Sequence, residues 1–491
     1  MLTGRLLRNS KHKRKAKIIQ FLARLIDRST HVRPGEGQAL FLSAAYYFLL
    51  MCAYYILRPI RDNMGAAGGV DNLAWLFLGT LTGMMLLHPI YGALVSKLPR
   101  RKFVPLIYRF FIANLVMFYI AFQVVDPANA IWTGRVFFVW VSIFNLFVVS
   151  VFWSFMNDIY RSSQSKRLFG IVAVGGTAGG VLGSSITSFL SIALSPTTLM
   201  LVSALLLEAA ARVSKHLGRA EESLALTALR EEGNDTNLPH TEEDEDRVSA
   251  SVNAKHHEVI GGGPIEGIRH LFESPYLLGI AILIMLYSLV STFLYFQQIA
   301  IVNEVLGNDD SARTQLFAYR DLVANIITLV VQIFFTGRIL RWFGVGAALA
   351  FLPVVSFVGF GILSTAPILA VVIVFDALRR VSNFAIQRPA RETLYTVLSR
   401  NEKYKAKNFN DTFIYRLGDQ IGAWSYTLLL WFGLSLSGLA LSMLPISALW
   451  LLLALWLGRY REQESDWKED DVSVTDLDHS DLLASEVTEG V

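Results

Sequence analysis

Twelve stretches of predominantly apolar residues, separated by short polar breaks, account for most of this 491-residue chain. A bilayer core about 30 Å thick is crossed by a helix of about 20 such residues, because in lipid every backbone N–H and C=O must be satisfied within its own segment. The chain is therefore expected to be an all-α integral membrane protein. Its spans are placed near 38 to 60, 72 to 95, 103 to 124, 131 to 155, 168 to 190, 197 to 217, 276 to 302, 317 to 337, 345 to 364, 367 to 388, 409 to 432 and 438 to 459. Composition fits that solvent: 53% of residues are hydrophobic and only 17% charged, against about 25% in soluble domains.

The polar segments divide the chain. Residues 1–36 hold ten Lys/Arg, and within them Ile18, Phe21, Leu22, Leu25 and Ile26 share one helical face suited to lying on anionic lipid. Two six-helix bundles, 37–218 and 271–460, flank a polar linker, 219–270, that contains TEEDED (Thr241 to Asp246) and Gly261-Gly262-Gly263-Pro264. An acidic tail, 461–491, with eleven Asp/Glu against Arg461 and Lys468, is expected to be disordered. Short loops rich in Lys and Arg mark the cytoplasmic side. The N-terminal segment, Lys97 to Lys102, Arg161 to Arg167, Arg338 with Arg341, and Arg400 to Lys407 all fall on one side. Both termini are thus expected in the cytoplasm, with insertion led by the first span and a bacterial inner membrane as the setting.

Several chemistries find no foothold. One cysteine, Cys52, excludes an internal disulfide and any CxxC site. The nine histidines lack HExxH-type spacing, and His256-His257 sits in a polar loop, so neither a metal nor another cofactor is implied. Gly175, Gly179 and Gly183 lack the GK[ST] of a phosphate loop. Spaced by four, they line one helix face and predict close helix packing. A membrane enzyme would need convergent His, Asp or Glu at one membrane face, and no such cluster stands out. A sensor signalling through the tail or linker stays open beside a transporter, as does transport of an unrelated polar metabolite by proton coupling.

Charges within spans are costly in lipid and mark cavities or partners. The first span ends with Arg58, Arg61, Asp62 and Asn63, on the side where basic residues are otherwise sparse. Arg58 and Arg61, three apart, share a face and can grip carboxylate or phosphate, or pair with Asp62 to close a gate. Further polar positions recur in the two halves: Asn157-Asp158, Gln297-Gln298, Arg320-Asp321, Asn325, Asp376, Arg379, Arg380 and the run from Asn408 through Arg416, Asp419 and Gln420. They serve either interhelical pairing or a polar substrate. Arg109 in the third span is expected to snorkel or to be paired rather than to bind substrate.

Two loop segments, Gly92 to Lys102 and Gly337 to Gly344, stand at equivalent places six spans apart and resemble the loop signature of the major facilitator superfamily. With Ser96 and Pro99, the first copy departs from the Asp and Gly usual there. The resemblance implies a twelve-helix fold of two six-helix pseudo-repeats that transports by alternating access. More narrowly, Ile56 to Asp62 (ILRPIRD), Phe152 to Asn157 (FWSFMN), and Arg388 to Tyr395 (RPARETLY) followed by Lys405-Ala-Lys407 and Arg416-Leu-Gly418 resemble motifs of the ATP/ADP exchange translocases. That resemblance implies a nucleotide or other organic anion as substrate, the lipid bilayer as surroundings and no nucleic-acid partner. It puts Arg61 where the family has a nucleotide-binding Lys, and Arg391-Glu392 on its Lys-Glu. Candidate substrate ligands are Arg58, Arg61, Asp62, Asn145, Gln297, Gln298, Asp376, Arg379, Arg391 and Arg416. Candidate gating residues are Asp158, Arg320, Asp321 and Asp419. Asp419 stands where the family has Lys after RLG, and Val141 to Asn145 lacks the family's mid-span Glu. Exchanging a cation for an anion alters a site by two charges, enough to change which anion it accepts.

Overall fold

The computed structural model describes residues 36–97, 100–160, 162–232, 274–307, 309–395 and 409–488. The basic N-terminal segment, most of the linker and the stretch Arg400 to Lys407 lie outside them. Twelve helices run through the described chain. The first six are α1 Gly37–Ala67, α2 Leu73–Lys97, α3 Arg100–Val124, α4 Pro127–Ile159, α5 Ser162–Leu190 and α6 Pro196–Glu232. Next come α7 Pro275–Leu306, α8 Asp310–Phe334 and α9 Thr336–Thr365. Helix α10 comprises Leu369–Ser382, a π-helical turn Asn383–Gln387 and Arg388–Leu394. Helix α11 opens with a second π turn, Asn410–Ile414, and continues as Tyr415–Trp431. Helix α12 is Leu436–Thr488.

Ten of these helices are long and apolar enough to cross a membrane. The two outside that set, α10 and α11, are the two interrupted by π turns, a distortion that frequently marks functional sites. Helix α8 begins at Asp310, ahead of the start near 317 expected from hydropathy, because Asp309 caps it by accepting from the Ala312 N–H at 2.9 Å. Helix α6 continues to Glu232, into the segment assigned to the linker. Helix α12 continues past its membrane-crossing part, Leu436–Gln463, into the acidic segment expected to be disordered. No Gly or Pro interrupts residues 459–488, so nothing in the backbone forces the helix to stop.

The two halves repeat one packing scheme. Helix α1 lies against α4, α5 and α6 as α7 lies against α10, α11 and α12, and α3 meets α6 as α9 meets α12. Close approach depends on glycine at equivalent places. A Cβ at Gly175, Gly179 or Gly183 on α5 would collide with the carbonyls of Ala44, Phe48 and Cys52 on α1. On α11, a Cβ at Gly418 or Gly422 would lie 2.5 and 2.6 Å from the carbonyl oxygens of Met285 and Leu289 on α7. Lipid offers no hydrophobic drive between helices, so this backbone-to-backbone fit supplies the attraction. The halves meet along α5 with α8 and α2 with α11, leaving the inner faces of α1, α7, α10 and α11 around the molecule's centre.

Candidate functional site

At that centre α1, α8 and α10 bring their charges together, and the Arg61–Asp62 pair offered by the sequence is part of the result. Asp62 accepts from Arg61 at 2.6 and 3.1 Å, from Arg320 at 2.9 Å and from the Tyr295 hydroxyl at 3.2 Å. Arg320 also donates to Asp321 at 2.9 Å and to Gln298 Oε1 at 2.7 Å, and its Nε lies 3.6 Å from Asp376. Arg380 links Asp321 (2.8 Å) to Asp376 (2.7 Å). Arg379 joins Asp376 at 3.1 Å and Ser291 at 2.6 Å, while Arg58 Nε stands 3.5 Å from Asp321. Spacing explains the local part. Positions 376, 379 and 380 are i, i+3 and i+4 on one helix, so both guanidiniums fold over one carboxylate. A charge taken out of water costs several kcal/mol unless paired, and here each carboxylate meets at least two guanidiniums.

Beside this network lies a cavity of about 100 Å³ lined by Arg61, Phe77, Thr80, Phe138, Ser142, Asn145, Tyr295, Arg416, Asp419 and Gln420. Both halves contribute to it: Arg61 and Asn145 from the first, Tyr295, Arg416 and Asp419 from the second. Arg61 stacks over the Phe138 ring at 5.2 Å and Arg416 over Tyr415 at 5.3 Å, contacts that hold a guanidinium's orientation. Arg416 donates to Asp419 at 2.8 Å, and Asp419 also accepts from Ser288 (2.5 Å) and Thr292 (2.8 Å) on α7. A carboxylate thereby fits where the resembling family has a lysine.

Toward the end of the bundle where α1 finishes, the halves are fastened together. Buried Arg313 donates to Asn63 Oδ1 at 2.9 Å, Asn303 Nδ2 donates to the Ala66 carbonyl at 2.8 Å, and Ser311 to the Ser191 carbonyl at 3.0 Å. Trp75 on α2 packs edge-on to Trp424 on α11, centroids 5.1 Å apart. Arg313 falls ahead of the span expected near 317 to 337; the Asp309 cap is the local signal that it belongs inside a helix. Tyr295, Ser288, Ser291 and Thr292 were also missed, since hydroxyl side chains raise no alarm in an apolar span.

The structure brings Arg58, Arg61, Asp62, Gln298, Arg320, Asp321, Asp376 and Arg379 into one network, and Arg61, Asn145, Arg416 and Asp419 to one cavity. Gln297 is turned away: it donates to the Leu436 carbonyl at 2.7 Å, tying α7 to the start of α12. Arg391 lies at the end of α10, paired with Asp411 at 3.5 Å and not among the cavity-lining residues. Asp158 is on α4, its side chain outside the described part. Arg109 pairs with Glu208 on α6 at 3.4 Å, an acidic partner not foreseen.

The Major Facilitator Superfamily profile matches residues 39–386. No curated protein matches the chain. Among solved structures, the human organic anion transporter MFSD10 is 13% identical, with 86% of this chain and 100% of that chain covered at a TM-score of 0.52. An auto-inhibited POT family peptide transporter is 13% identical, with 87% and 97% covered at 0.54. At this identity the likeness is one of fold.

Proposed function

From the premise that the chain belongs to the Major Facilitator Superfamily and is a transporter, not an enzyme, we propose that it moves an organic anion by alternating access. The observation carrying this reading is that Arg61 and Arg416, one from each half, face the same central cavity. A guanidinium fork is the side chain best shaped to hold carboxylate or phosphate, and a site shared by two rocking bundles is what alternating access requires. The Asp62–Arg320 bond and the Arg313–Asn63 bond cross between the halves on the side where α1 ends, and they serve as the gate on that side.

With the basic loops cytoplasmic, that gate is extracytoplasmic, both termini are cytoplasmic, the polar segment 219–270 joins the bundles, and the membrane is a bacterial inner membrane. Nucleotide exchange is the finer form of the proposal, supported by the resemblance around Arg61 and Arg391. The test is counterflow in proteoliposomes preloaded with unlabelled nucleotide, with labelled ATP and ADP outside, comparing wild type with Arg61→Ala. Exchange that disappears in the variant supports nucleotide as cargo and Arg61 as its ligand. Folded protein that exchanges neither nucleotide refutes the nucleotide assignment and leaves the anion reading to be tried on other anions.

A further inference from the structure

We infer that the cargo is a small organic dianion, an inference that rests on the organic-anion reading, specifies its charge and stands against the ATP/ADP form of that reading. The ion network of α1, α8 and α10 is one connected cluster of five arginines and three aspartates, leaving two positive charges without a carboxylate among the described residues. Arg416 and Asp419 form a separate, neutral pair. Uncompensated charge in a membrane interior is expensive enough to be rare unless water or a ligand balances it.

The arrangement says where the balance comes from. The side chains of Asp62, Asp321 and Asp376 are 0, 0 and 4% exposed, whereas those of Arg58, Arg61 and Arg379 keep 15, 16 and 10%. The carboxylates are sealed behind the guanidiniums, and Arg61 carries the network's positive charge to the cavity wall. Arg58 and Arg379 stand behind Arg61, the one member of the network that lines the cavity, and their surplus charge acts on a bound anion through the low-dielectric interior. Two surplus charges match two negative charges on oxygen. A monoanion leaves one guanidinium uncompensated, and a nucleoside di- or triphosphate brings more negative charge than the network neutralises.

Phe77, Phe138 and Tyr295 close the cavity's apolar side, which suits a compact carbon skeleton. Dicarboxylates and phosphate monoesters share this chemistry, and the test separates them. Purified full-length protein is reconstituted and assayed for counterflow with succinate, AMP, benzoate, ATP and uncharged adenosine. Melting-temperature shifts with the same compounds are measured in detergent.

The expected result is exchange and stabilisation by succinate, AMP or both, at least about tenfold better than by benzoate or ATP. In Arg58→Gln and Arg379→Gln the dianion-over-monoanion preference falls at least about tenfold, while Arg58→Lys and Arg379→Lys, which keep the charge, retain it. A wild type that prefers benzoate or ATP overturns the dianion inference while leaving the anion reading intact. A preference unmoved by both glutamine variants overturns it equally. Neither exchange nor a melting shift with any anion overturns both readings.

Discussion

Asp62→Asn isolates the gate. Asp62 is fully buried and accepts the Arg320 bond from the other half, beside the intra-half bond from Arg61. Asparagine keeps the shape and removes the charge. The bond that matters for the gate is the one crossing between bundles, since Arg61 moves with Asp62 in any conformation. A hydrogen bond to a charged group contributes about 1.5–3 kcal/mol, and each 1.4 kcal/mol is about tenfold in an equilibrium. The variant should therefore shift the ratio of open to closed forms at this end about 10- to 150-fold toward open. The readout is a thiol at Thr314, a fully buried residue near the α8 start, introduced as Thr314→Cys in a Cys52→Ala background. Cys52, the one native cysteine, is buried on α1. Alkylation by a membrane-impermeant maleimide should accelerate at least about tenfold in Asp62→Asn relative to its parent. Rates within about twofold, in protein that elutes as a folded monodisperse species, would refute the assignment of Asp62–Arg320 as a gate.

Other outcomes follow from the same geometry. Gly179→Val drives a side chain into the Phe48 carbonyl, an overpacking expected to remove about 1–3 kcal/mol and lower the melting temperature. Gly170→Ala, with nothing within 4 Å of a new Cβ on the same helix, should melt like wild type, and equal losses in both would count against the packing role of the α5 glycines. Asp419→Asn leaves Ser288 and Thr292 in place but strips Arg416 of its counter-charge. Anion KM in counterflow should drop several-fold with slower turnover, whereas an unchanged KM would detach this pair from the binding site.

The architecture was largely legible because lipid imposes one rule on the backbone: ten of the twelve helices obey it visibly, and α10 and α11 depart from it where charges and π turns interrupt them. Glycines four apart on α5 likewise announced a packing face, since only a residue without Cβ permits a carbonyl that close. Boundaries were harder. At α8, hydropathy favours a start near Phe317, but the helix is nucleated upstream by the Asp309 cap, and Arg313 is buried because Asn63, Asn303, Asp310 and the Gly307 carbonyl take its donors. Reading polarity as exposure fails when partners come from another helix.

The same limit governs the site. The intramembrane charges could be found from sequence, but their pairing could not: the Asp62–Arg320 bond joins residues 258 positions apart, and no local spacing encodes it. Gln297 and Gln298 looked equivalent, yet one step along an α-helix rotates the side chain by about 100°. One therefore reaches the α12 backbone and the other Arg320. Asp419 makes the same point about substitution. Taken alone it reads as a charge reversal that damages an anion site. In place, Arg416 balances its charge and two α7 hydroxyls donate to it within its own half. A single motif position is therefore a poor guide to the charge of a buried site, because partners on another helix set it.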